Sequence, residues 1–115
     1  MDGLHQAREY VAASNAHDLG RVEALIAEGA VYDSSSAGFH SGKAAIRQMM
    51  DQFFEAFAEL HWETYDWQKD GDDAWAFDFT MTGKNAETGA EIRRNGTERI
   101  WVGDDGLIHK VEVRT

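Results

Sequence analysis

The sequence predicts an α+β fold in which helices from the N-terminal half pack into the concave side of a curved sheet from the C-terminal half. Three observations carry this. Residues 44–57 place Ile46, Met49, Met50, Phe53, Phe54 and Phe57 on one broad helical stripe, with Arg47, Gln48, Asp51, Gln52 and Glu55 opposite. After Leu60 the apolar period changes to two, and Trp75, Phe77, Phe79 and Met81 alternate with Ala76, Asp78, Thr80 and Thr82. Finally, 115 residues with 43% apolar content and four tryptophans suffice for one domain with a substantial core.

From Asp2 to about Ala16 the pattern predicts a first helix with Leu4, Ala7 and Val11 along one side and Tyr10 beside them. Asp18 can cap a second helix over Leu19 to Glu28, with Val22, Leu25 and Ile26 inward and Gly29 as its left-handed end. A short strand is expected at Ala30 to Asp33, then a small-residue loop from Ser34 to Gly38. Ser41 is the candidate N-cap of the long third helix. Segments 60–69, 73–82, 91–102 and 107–115 read as strands separated by Gly- and Asp-rich turns. In the last of them Leu107, His109, Val111 and Val113 should share the covered face.

Composition narrows the function. The absence of cysteine excludes disulfides, thiol nucleophiles and thiolate metal sites. A formal net charge of -10 disfavours nucleic acid and anionic membrane surfaces as partners. Neither a leader-like start nor a transmembrane run is evident, so a cytoplasmic location is expected. No histidine pair has ligand spacing on one element, and neither a metal nor another cofactor is expected.

Four stretches in order, Tyr10 to Leu19, Ala24 to Asp33, Ser41 to Arg47 and Trp101 to Ile108, resemble the nuclear transport factor 2-like superfamily. Within it the chain is most similar to SnoaL-like polyketide cyclases and ketosteroid isomerases. The resemblance spans nearly the whole chain and implies a cone: a curved mixed sheet wrapped round the long helix, with three helices in the N-terminal half and a pocket at the wide end. It also implies site roles. The catalytic tyrosine of the isomerase falls on Tyr10, its protonated acid on Glu98, and its proton-shuttling aspartate on Ser34, with Asp33 one position earlier.

A serine at that place cannot by itself remove a proton from carbon. Asp33 could substitute, although strict alternation turns it away from Tyr32 and Ser34. His109, between Leu107 and Val111, is the histidine best placed as a base near neutral pH. If Ile92, Arg94, Gly96, Glu98, Ile100 and Val102 share a face, Arg94 and Glu98 point inward, as a buried ion pair or as a working acid beside an orienting cation. Tyr32, Ser34, Phe54, Trp75, Phe77, Phe79, Arg94 and Ile100 then supply the pocket wall for a small hydrophobic ligand. Two functions follow as expectations. One is acid–base chemistry on a hydrophobic carbonyl or polyketide-like compound. The other is a non-catalytic ligand-binding or dimeric module of the same fold. Aromatic residues on the outer sheet face, Trp67 or Trp101, would suit a homodimer.

Overall fold

A computed structural model describes residues 2–115. Helices α1 (Leu4–Asn15) and α2 (Leu19–Ala24) lead into strands β1 (Ile26–Ser34) and β2 (Gly38–Ser41). Helix α3 (Lys43–Ala56) follows, then β3 (Phe57–Asp70), β4 (Ala74–Asn85), β5 (Glu91–Val102) and β6 (Ile108–Arg114). One mixed sheet has the order β2-β1-β6-β5-β4-β3. Only β1 and β6 run parallel; the other neighbours are antiparallel. This is the cone-shaped α+β architecture anticipated above, with the helices on the concave face.

The sheet curves because its strands carry bulges. In β3 the register slips between Ala58 and His61 and again between Tyr65 and Gln68. The left-handed residues Glu59 (φ 55) and Asp66 (φ 56) sit at those slips. Each bulge adds an unpaired residue and bends the strand toward α3. The second one turns Trp67 inward, where it stacks on Phe77 at 4.1 Å.

The α3 stripe divides its work. Ile46 and Met50 are buried in the core, whereas Met49, Phe53, Phe54 and Phe57 are only partly covered. The helix starts after Gly42 (φ 95) rather than Ser41, which ends β2.

Three expectations are corrected. The second helix stops at Ala24, and Gly29 lies inside β1 rather than at a helix end. The apolar run Leu25-Ile26-Ala27 suits either structure locally, but pairing with β6 decides: the Ile108 amide donates to the Leu25 carbonyl at 2.8 Å. Residues 38–41 form the edge strand β2, continuing the hairpin whose turn the Ser-rich loop provides. Finally, β6 slips by one residue against β5, since Trp101 faces Lys110 while Val102 faces Ile108. His109 is the extra residue, and the slip sends it to the outside while Ile108, Val111 and Val113 are buried.

Candidate functional site

Alternation along β5 sets the site. Ile100, Glu98, Gly96 and Arg94 succeed one another on the concave face, opposite Trp75, Phe77, Phe79 and Met81 of β4. The Phe79 ring lies over Gly96, where an added Cβ would come within 2.8 Å of its Cζ. Glycine at 96 therefore lets the Phe79 ring cross the strand between Glu98 and Arg94. Glu98 itself is flanked by Phe77 on one side and Val113 on the other.

A narrow cavity, with about 60 Å³ of accessible space, lies between this face and α3. Tyr10 and Ser14 of α1 form part of its wall, with Met49, Met50, Phe53 and Phe54 of α3 across from them. Tyr32 and Ser34 of β1, and Trp62, Phe79 and Met81 of the sheet, complete its body. Exposed Ser36 and Thr115 mark the rim.

Glu98 is 6% exposed and, among the described residues, accepts no hydrogen bond and forms no ion pair. Burial raises its carboxyl from 4.5 to about 8, so the protonated acid predominates at neutral pH. Burial also pushes the Tyr10 hydroxyl well above its ordinary range, with Tyr32 and Glu98 adding to the effect. Tyr32 is shifted in the same direction by burial and by Glu98. Three neutral oxygen groups, two phenols and one carboxylic acid, thus meet in a largely apolar cavity. The expected ion pair between Arg94 and Glu98 does not form; the Arg94 guanidinium lies over the Phe57 ring at 5.6 Å.

Of the expected site residues, Tyr10, Tyr32, Ser34, Phe54, Phe79, Arg94 and Glu98 line this cavity. Phe77 borders a smaller recess beside Tyr10 and Glu98. Trp75 and Ile100 belong elsewhere: the Trp75 indole donates to the Asp2 carbonyl at 2.7 Å, and Ile100 is fully buried in the core. Asp33 faces outward, its carboxylate held by Arg114 at 3.0 Å. His109 is exposed, 2.9 Å from Asp105 across the β5–β6 turn. Neither Asp33 nor His109 reaches the cavity, because alternation removes the first and the β6 slip the second.

Ser34 is not poised as a nucleophile. Its Oγ accepts the amides of Ser36 at 3.2 Å and Ala37 at 3.0 Å, which fixes the turn at the rim. Sequence reasoning missed Ser14, Met49 and Trp62 as wall residues, and Asn15 as the residue that positions one of them. The Asn15 side chain accepts the Trp62 amide at 2.7 Å and donates to the Trp62 carbonyl at 2.9 Å, tying α1 to β3. His17 bonds the Leu60 carbonyl at 2.7 Å and meets the Phe54 ring edge-on. Only the Asn at the end of α1 offered a local signal. Among the described residues no group of three or more His, Asp or Glu is placed to hold a metal ion.

Fold and cavity together define a small α+β domain with a cavity between its curved sheet and its helices. A family model for the SnoaL-like domain matches residues 7–111, and the chain belongs to that family. No curated protein matches the sequence. Solved structures share the fold at low identity. RV0760c from Mycobacterium tuberculosis, in complex with estradiol-17beta-hemisuccinate, has a TM-score of 0.85 and 18% identity over 97% of this chain and 92% of that one. A candidate polyketide cyclase from Xanthomonas campestris pv. campestris has a TM-score of 0.83 and 18% identity, over 99% of this chain and 90% of that one. A computationally designed 17-OHP binder reaches 0.84 at 18% identity, over 97% of this chain and 91% of that one.

Proposed function

We propose that the chain binds a small hydrophobic carbonyl compound and performs acid–base chemistry on it through Glu98. The observation that carries this reading is an unpaired, buried carboxyl in the wall of an apolar cavity, beside the hydroxyls of Tyr10 and Tyr32. A group titrating near 8 is matched to proton transfer at physiological pH. In its ionised form Glu98 takes a proton from the carbon next to the carbonyl; in its protonated form it returns that proton to another atom of the same ligand. Negative charge meanwhile gathers on the carbonyl oxygen, where the two phenols donate hydrogen bonds in a water-poor site. Nothing external is consumed, so isomerisation or ring closure is the reaction type. Ligands of the structural neighbours, such as the steroid ester on RV0760c, support a flat apolar body as the ligand.

A second reading, a binder without turnover, is favoured by Ser34. It occupies the position of the isomerase base, and its hydroxyl is engaged in the turn. One experiment separates the two. The protein is incubated with 2-tetralone in D2O, and deuterium entering the carbon next to the carbonyl is followed by mass spectrometry. Catalysed exchange that disappears in Glu98→Gln supports the enzyme. Saturable binding of the ketone with no exchange above buffer supports the binder.

The reading extends to assembly: the outer sheet face, with Tyr65 44% exposed, is the surface for a second copy. Sedimentation velocity of the purified chain checks this, and a monomer at 100 µM would refute it.

A further inference from the structure

Arg94 is the one arginine in the cavity wall among the described residues. The chain is strongly acidic, and most of its arginines are neutralised. Arg21 pairs with Glu9, Arg47 with Glu23 and Asp51, Arg99 with Asp70 and Glu112, and Arg114 with Asp33 and Glu112. Arg94 lines the cavity and, among the described residues, has neither an ion-pair partner nor a hydrogen-bond acceptor, only the Phe57 ring. Among the described residues, no Asp or Glu side chain other than Glu98 lines the cavity. A half-buried guanidinium beside Met81 and over the Phe57 ring is partly desolvated, and its fork of donors matches a carboxylate.

We infer that the natural ligand is an amphipathic acid, with an oxygen function facing Glu98 and Tyr10, an apolar body against Phe79 and a carboxylate on Arg94. The inference rests on the proposed use of this cavity and adds the ligand's charge and polarity. Spacing supports it. Glu98 and Arg94 lie two same-face positions apart on β5, about 13 Å between Cα atoms at ~3.3 Å per residue. Both side chains line the same cavity, so one ligand can span them along the Phe79 ring that covers Gly96. The positive charge stands at the rim end and the proton-transferring group deeper inside. The carboxylate would therefore orient the ligand and not react.

The test uses two probes of equal shape, 6-hydroxy-2-naphthoic acid and its methyl ester, titrated by fluorescence at pH 7. Wild type should bind the acid about tenfold tighter than the ester. In Arg94→Gln the acid should weaken by about that factor while ester affinity stays constant, which also shows that the variant is folded. Equal wild-type affinities, or an acid preference that survives Arg94→Gln, would overturn the inference and leave the carbonyl cavity standing. Failure of both probes to bind wild type would overturn the cavity reading and this inference with it.

Discussion

Replacing Glu98 by glutamine isolates the buried acid, and its effect on stability has a sign and a size. Unfolded, the carboxyl titrates near 4.5; folded, near 8. Between those values the folded chain keeps a proton that the unfolded chain has released. Stability therefore falls as pH rises from about 4.5, and the loss is complete above about 8. Roughly three and a half pH units at ~1.36 kcal/mol each give a loss on the order of 5 kcal/mol. Against a total stability of about 5–15 kcal/mol for an ordinary domain, that is a large fraction. Glutamine resembles the protonated acid in shape and cannot ionise, so Glu98→Gln should lack this component. Urea denaturation of both proteins from pH 4.5 to 9 should give nearly equal stabilities at the acid end. The variant should gain progressively toward alkaline pH. Other titrating groups are common to both chains and cancel in the difference. A constant difference across the range would refute the reasoning, because it would mean that Glu98 has the same proton affinity folded and unfolded.

Other substitutions test separate parts of the account. Tyr10→Phe removes a hydroxyl without a protein partner among the described residues. Thermal stability should hold or rise, while affinity for a ketone ligand falls about tenfold; a lowered melting temperature with unchanged affinity would make the hydroxyl structural. Asn15→Ala strips both bonds from the Trp62 backbone and should cost about 1–3 kcal/mol by chemical denaturation. Phe77→Ala should cost about 3–5 kcal/mol, the loss expected of a core ring stacked on Trp67. His109→Ala should change neither ligand affinity nor deuterium exchange, since its ring lies at the surface against Asp105 and Gly103, outside the cavity wall; a loss of either would return it to the site.

Much of the fold was legible because two periodicities are strong in this chain. The α3 stripe and the Trp75-Phe77-Phe79-Met81 alternation each define a face without help from the rest of the molecule. The same logic put Arg94 and Glu98 inward and Asp33 outward, and the register of β5 bears this out. What failed did so at irregularities. A one-residue slip in β6 moves His109 across the sheet, and nothing in Leu107-Ile108-His109-Lys110 signals where the extra residue falls. The bulges of β3 similarly hide which of Tyr65, Trp67 and their neighbours faces inward. The second helix ends sooner than its pattern suggests because Leu25, Ile26 and Ala27 suit helix or strand until β6 arrives to pair with them. Cavity walls were the hardest to read. Met49 and Phe53 look like ordinary core on a helical wheel, and only the curvature of the sheet leaves space before them.

The central claim is that Glu98 stands as a protonated acid in the cavity at neutral pH. Its side-chain carboxyl can be followed directly by carbon-detected NMR on protein labelled at glutamate, assigned through Glu98→Gln. The account predicts a titration midpoint near 8 that moves again when a ketone ligand fills the cavity. A midpoint near 4.5, indifferent to ligand, would contradict it and leave Glu98 as a solvated structural carboxylate.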